Sequence, residues 1–163
     1  MLNESHKKSG FLFFVEFPLQ MPHNTSVMRE QIQKLASRYQ IQIIYAFGSR
    51  AKEALAIMEG EVPSFSAGPS DLDLGIKTPK PLNVEEKVKI AIFFEDLFHL
   101  PRVDLVVISE VPVLLALEIV TGEILYVQDP TYEAEYQLYI MKRAADLLPH
   151  ERTKQAMILG GFA

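Results

Sequence analysis

Three aspartates in two short apolar segments are the residues of this chain best suited to hold a metal ion. Asp71 and Asp73 alternate with leucines in residues 70–74. In a β-strand, alternate side chains share one face, so these two carboxylates point the same way, about 7 Å apart along the strand. Carboxylates placed like this ligate one hard cation or a pair of them. The alternative is a solvent-facing strand with acidic alternation.

Asp104 lies in residues 102–108, a segment too apolar for an exposed strand. A charged carboxylate in a half-buried strand is costly unless it is paired or metal-bound. Two explanations therefore stay open. Asp104 shares cations with Asp71 and Asp73, or it forms a salt bridge with Arg102.

The dipeptide Gly48-Ser49 could bind phosphate. It follows the β-branched and aromatic segment 40–47 and precedes the alanine-rich segment 50–58, which is typical of a strand, a sharp turn and a helix. Backbone N–H groups and the partial positive charge at a helix N-terminus favour anions there. The alternative is a simple turn. Arg50 and Lys52, just beyond, either neutralise phosphate or are solvated helix charges.

The rest of the sequence predicts the helices and strands that must position these groups. Helical patterns begin near Pro22, Arg50, Asn83, Pro112 and Thr131. Strand patterns cover residues 40–47, 72–76, 102–108 and 124–127. This order predicts an α/β (α+β) domain with a small mixed β-sheet flanked by helices.

Periodicity also predicts which helix faces are buried. In the first helix these are Met28, Ile32, Leu35 and Tyr39, and in the third they are Val88, Ala91, Ile92 and Leu97. In the final helix, Tyr132, Tyr136 and Tyr139 form a stripe that either packs on the sheet or anchors an interface. Pro149 is predicted to end that helix.

We therefore expect one domain over residues 22–150 that binds a nucleotide. Residues 1–21 are predicted to be a disordered N-terminal extension and residues 151–163 a C-terminal tail. Residues 59–69 hold two prolines and two glycines without a periodic pattern, which predicts a loop.

Composition narrows the class of function. The chain has 163 residues, no cysteine and a formal net charge of −5. Disulfides and thiolate metal sites are excluded. A chain with more acidic than basic residues is not expected to bind long nucleic acid. No apolar run is long enough to span a membrane. We expect a cytoplasmic protein.

Residues 46–51, 70–74 and 103–106 together resemble the minimal nucleotidyltransferases of the DNA polymerase beta superfamily. The resemblance runs from about Met28 to the final helix. It implies that Gly48, Ser49 and Arg50 bind ATP and that Asp71, Asp73 and Asp104 hold two Mg²⁺ ions. It also implies that Asp104 helps to deprotonate an acceptor hydroxyl.

One feature departs from the family pattern. About ten residues usually separate the Gly-Ser pair from the aspartates, whereas here Asp71 follows Ser49 by 22 positions (71 − 49). The excess falls within residues 59–69. Because loop insertions cost little free energy, we expect the site to survive and the loop to border its mouth.

Stand-alone members of this size are commonly antitoxins that add AMP to a tyrosine of a helical HEPN toxin. The resemblance therefore implies a protein adenylyltransferase that acts on a HEPN partner, in a homo- or hetero-oligomer. Two alternatives stay open: a nucleotidyltransferase for a small molecule such as an aminoglycoside, and an antitoxin that acts by binding alone.

Overall fold

A computed structural model describes residues 21–160, with side chains from Thr25 onwards. The predicted extension over residues 1–21 thus lies almost wholly outside the described part. Five helices and four strands alternate: α1 Met21–Tyr39, β1 Ile43–Phe47, α2 Ala51–Glu59, β2 Leu72–Lys77, α3 Val84–Phe98, β3 Val103–Val107, α4 Val113–Val120, β4 Glu123–Val127 and α5 Pro130–Gly160. Short 3-10 turns, Gly48–Arg50 and Ile108–Glu110, follow β1 and β3.

The four strands form one mixed sheet in the order β3-β2-β1-β4. Strand β1 pairs antiparallel with both β2 and β4, and β2 pairs parallel with β3. A parallel pair needs a crossover connection, which α3 supplies. The prediction of a small mixed sheet flanked by helices is confirmed.

The sheet separates two apolar layers. On one face Leu72, Leu74 and Ile76 are fully buried against α1, α2 and α3. On the other face Tyr45 and Phe47 pack with residues of α4 and α5. Alternation along each strand produces the two faces, because successive side chains point to opposite sides.

A buried hydrogen bond ties α5 to the sheet. The Tyr45 hydroxyl donates to Glu133 Oε1 over 2.6 Å, and both residues are buried. Burial, followed by the Glu133 carboxylate, raises the pKa of Tyr45 far above its ordinary value, so the phenol stays protonated and remains the donor.

The third helix begins as predicted but buries a different face. The Asn83 side chain accepts a hydrogen bond from the Glu86 backbone N–H, and the Glu86 carboxylate accepts one from the Asn83 backbone N–H. However, Val88 and Ile92 are about half exposed, at 50% and 48%. Ala91 and Leu97 are half-buried, and Leu97 packs against the core as predicted. The fully buried residues are Ile90, Phe94 and Phe98. Two apolar stripes compete on this helix, and the one with two phenylalanines removes more apolar area from water.

The final helix does not end at Pro149. It continues to Gly160, so the residues described beyond position 150 are helical and not a loose tail. Proline removes one backbone hydrogen bond, yet strong helix formers follow it over residues 151–159. The Thr153 hydroxyl also donates to the Pro149 carbonyl over 2.9 Å. The domain boundary near residue 150 stays a prediction.

Candidate active site

The turn after β1 favours glycine. Gly48 has φ +73°, in the left-handed region that other residues rarely adopt. A Cβ built on it would stand 2.7 Å from Oδ2 of Asp73, so the Asp73 carboxylate would have to move. Backbone conformation and close approach therefore both favour glycine. Gly48 and Ser49 are exposed at this point, next to a carboxylate.

The pairing of the strands brings the predicted carboxylates to this turn. Asp73 lies opposite Phe47, the residue before Gly48, and it also lies opposite Asp104 on β3. Because Leu72 and Leu74 face the buried layer below, Asp73 points to the other side of the sheet, as alternation requires. Asp71, two residues earlier, shares that side.

The carboxylates are close enough to affect one another. Burial raises the pKa of Asp73 above its usual value, and the negative charges of Asp104, Asp71 and Glu118 raise it further, in that order. Like charges disfavour the ionised form of a neighbour. The site therefore carries an excess of negative charge that a bound cation would relieve.

Arg102 already neutralises part of this charge. Its Nη2 lies 2.9 Å from Asp104 Oδ1, and its Nε lies 3.6 Å from Asp71 Oδ2. The arginine side chain is 64% exposed, which makes the ion pair weak by the usual measure of surface salt bridges. The salt bridge to Arg102, one of the two explanations for Asp104, is therefore present.

The donor set fits a hard cation in its chemistry. Three carboxylates brought together by adjacent strands offer the oxygen ligands that Mg²⁺ prefers. After burial, the charges of Asp104 and Asp71 contribute to the raised pKa of Asp73. Within residues 21–160, however, no three carboxylate or histidine groups are already gathered into a metal site. The metal role of Asp71, Asp73 and Asp104 stays a prediction.

The sequence profile of the family "Polymerase beta, Nucleotidyltransferase" matches residues 30–131, more than half of the chain. The chain belongs to this family. The matched segment begins in α1 and ends at the start of α5, so it contains the whole sheet and each of the predicted site residues. No curated protein matches the chain.

Solved structures of similar fold are toxin–antitoxin complexes. One is a mutant of the MntA–HpeT pair, at 19% identity and a TM-score of 0.60, and covers 83% of this chain and 98% of the matched one. A toxin–antitoxin with AMP-PNP has 20% identity, the same TM-score and the same coverage. A third is a tri-AMPylated Shewanella oneidensis HEPN toxin with its MNT antitoxin, at 20% identity and a TM-score of 0.57, covering 85% and 99%.

Arg50 of this nucleotidyltransferase contacts the inserted loop. Its guanidinium is buried and donates to the carbonyl oxygens of Ser66 and Gly68, over 3.3 and 3.1 Å. It also lies over the Phe65 ring, 5.3 Å from the centroid. These contacts make Arg50 an anchor of the inserted loop, a role that the sequence did not predict. Its role in binding ATP stays a prediction.

The inserted loop borders the site, in the position predicted for it. A cavity of about 360 Å³ lies between residues 64–71 of the loop and residues 98–102 after α3. Asp71 and Arg102 line it, so it adjoins the carboxylates. Glu53 of α2 accepts a hydrogen bond from the Ser66 backbone, which fixes the loop a second time.

Two acidic residues near the site were not predicted from the sequence. Glu118 is an exposed carboxylate on the apolar helix α4, and its charge reaches Asp73. A lone carboxylate in an otherwise apolar helix was the available signal. Glu53 gave no signal, because its partner lies 13 residues away in a loop.

None of the helices from Met21 to Gly160 has both the length and the apolar character needed to cross a bilayer.

Proposed function

We propose that this nucleotidyltransferase transfers AMP from ATP to a hydroxyl group of a partner protein. The observation that carries the proposal is the close approach of Gly48 to Asp73, with Asp104 directly opposite on the next strand. This places an exposed turn that leads into a helix beside a set of carboxylates. Nucleotidyl transfer needs both, because a triphosphate must be held and its charge neutralised.

In this proposal each site residue has a distinct role. The backbone at Gly48 and the hydroxyl of Ser49 hold the triphosphate, in the manner of helix N-termini that bind phosphate. Asp71, Asp73 and Asp104 hold Mg²⁺. When bound, this cation neutralises phosphate charge and makes an acceptor hydroxyl more acidic. Arg102 must release Asp71 and Asp104 for them to serve as ligands.

The reaction exchanges a phosphoanhydride bond of ATP for a phosphoester bond on the acceptor. The acceptor oxygen attacks the α-phosphorus of ATP and forms a new phosphorus–oxygen bond. The bond from that phosphorus to the bridging oxygen breaks, and pyrophosphate leaves. Asp104 accepts the hydroxyl proton. The products are pyrophosphate and a protein carrying AMP on oxygen.

We infer that the acceptor is a tyrosine of a HEPN toxin, and that the chain is the antitoxin of such a pair in the cytoplasm. The support is the resemblance in fold to antitoxins solved with HEPN toxins, one of them tri-AMPylated. A complex with AMP-PNP among the similar structures supports ATP as the donor. The small domain also lacks, within residues 21–160, a second unit for a small-molecule acceptor.

The test follows label from α-³²P-ATP. The purified chain is incubated with Mg²⁺ and ATP, with and without the HEPN protein encoded by the neighbouring gene. Label on that protein, lost in Asp71→Asn/Asp73→Asn, supports the proposal. Tight complex formation without label favours an antitoxin that acts by binding alone. Transfer to an aminoglycoside, but not to the protein, favours the small-molecule alternative.

A further inference from the structure

Helix α5 carries a stripe of exposed apolar residues on its outer side. The stripe consists of Ala134, Leu138, Met141, Ala145 and Leu148, which we call the α5 seam. All five are exposed, and the larger three have exposed fractions of 65%, 37% and 40% in that order. Apolar groups left in water at regular spacing are uncommon unless something covers them.

The part of the fold formed by residues 21–160 does not use the α5 seam. The face of α5 that packs on the rest of the molecule is formed by Glu133, Ile140 and Ala144. Glu133 accepts the hydrogen bond from Tyr45, and Ile140 joins the apolar layer under α4. At 3.6 residues per turn, the seam lies about 100° round the helix from this face. A second surface is therefore available while the first is occupied.

The spacing of the seam specifies the shape of its occupant. Its residues follow one another at intervals of four, three, four and three, which is the seven-residue repeat of packed helices. Side chains at this period insert into the holes of a facing α-helix. The complement of the α5 seam is therefore the apolar stripe of another helix.

We propose that the α5 seam binds a helix of the acceptor protein. This inference rests on the proposed function, which requires a protein acceptor. The seam covers only two heptads and includes two alanines, whereas free-standing coiled coils need three or four heptads. A second copy held by the seam alone would be too weakly bound. A protein that also presents a hydroxyl at the carboxylates has a second contact to hold it.

Charged residues beside the seam favour a partner helix that carries both basic and acidic groups. Glu135 and Lys142 follow seam residues and are exposed, in the positions that set partner choice between packed helices. The facing helix is expected to carry a basic group opposite Glu135 and an acidic group opposite Lys142. These charge pairs then set the register of the partner helix along the seam, and with it the position of the acceptor hydroxyl.

The experiment compares two methionines on the same helix. Met141 lies in the α5 seam, whereas Met157 is 72% exposed and lies on the opposite side by the same repeat. We expect Met141→Glu to weaken binding of the neighbouring-gene HEPN protein by about tenfold or more, because a carboxylate would be buried without a partner. Met157→Glu should bind as the unsubstituted chain does. Titration calorimetry gives both affinities, and circular dichroism checks that α5 is intact.

A photo-crosslinking residue in place of Leu138 identifies the occupant. Crosslinks to a helix of the HEPN protein support the proposal. A crosslinked pair of this chain, with a dimer lost in Met141→Glu, would assign the seam to a second copy and overturn it. Equal affinity of the two methionine variants would also overturn it. If the complex depends on Met141 but no AMP is transferred, the result supports the seam as a binding surface and contradicts the proposed reaction.

Discussion

Gly48 approaches Asp73 so closely that a side chain at position 48 would have to displace the Asp73 carboxylate. The space where a Cβ would stand is 2.7 Å from Oδ2 of Asp73. The turn that would hold triphosphate and the carboxylate that would hold Mg²⁺ are thus in contact across two strands. A change at either residue must disturb the other.

Replacing Gly48 with alanine tests this contact. The left-handed φ of +73° costs a residue with a side chain roughly 1–2 kcal/mol, and the new methyl group must also displace the carboxylate. We expect transfer activity to fall on the order of 10²-fold, because a displacement of about 1 Å at a reacting centre has that effect. Initial rates of AMP transfer measure the loss.

Gly160→Ala is the matched control for this substitution. A Cβ at Gly160 meets nothing within 4 Å, and the residue ends α5. It should leave the rate unchanged. If Gly48→Ala retained full activity with the fold intact, the turn would have no part in holding the nucleotide.

The sheet and the carboxylates could be predicted because their signals are local. Alternation of Asp71 and Asp73 with buried leucines predicts both β2 and its faces, and Gly48 at the end of β1 marks the turn. What the sequence missed depends on distant partners. Arg50 bonds to carbonyl oxygens 16 and 18 residues away, and Glu118 reaches Asp73 from another helix. Such pairs form only when the chain has folded.

Competing local signals explain the other errors. Helix α3 carries two apolar stripes, and sequence alone does not show which one meets the sheet. Pro149 is a strong signal for a helix end, but a helix already anchored through Ile140 and Ala144 tolerates the loss of one hydrogen bond. In both places tertiary packing decided what local propensity left open.

Arg102 should compete with cations for the carboxylates. Its guanidinium contacts Asp104 and Asp71, so removing it frees both and raises the local negative charge. We expect Arg102→Gln to bind Mn²⁺ a few-fold more tightly in the absence of nucleotide, a modest change because the pair is exposed. Electron paramagnetic resonance of free Mn²⁺ measures the affinity without relying on turnover.

Lys89→Gln provides the comparison for the arginine variant. Lys89 forms an exposed ion pair with Glu85 on α3. Its replacement by glutamine removes one positive charge, as Arg102→Gln does. Its effect on Mn²⁺ affinity should be small. Weaker binding in Arg102→Gln would show that the arginine helps to assemble the site.

Tyr45→Phe should destabilise the fold through Glu133. The substitution keeps the ring in the apolar layer but removes the donor to a buried carboxylate. Leaving a buried acceptor unsatisfied costs about 1–3 kcal/mol. Urea denaturation at pH 7 measures the loss. Tyr139→Phe is the control, because the Tyr139 side chain is 53% exposed and its change should be near neutral.

The anchor of the inserted loop should respond to acid through Glu53. The Ser66 backbone N–H, which donates to its carboxylate, is the main cause of a Glu53 pKa below the usual 4.5. A group whose pKa is lowered in the folded state stabilises that state above its unfolded pKa, and the contribution is lost as the pH falls through the folded value. The Glu53 contact therefore holds the loop at neutral pH and is lost in acid, while the Arg50 contacts stay.

The Ser66 amide proton reports this release in nuclear magnetic resonance spectra. Between pH 7 and pH 3 we expect its chemical shift to titrate with a midpoint below 4.5, the ordinary glutamate value. Glu53→Gln should abolish that titration, because the amide side chain does not ionise in this range. A midpoint at or above 4.5 would mean that the Ser66 amide does not favour the ionised carboxylate. The loop would then depend on Arg50 alone for its attachment to α2.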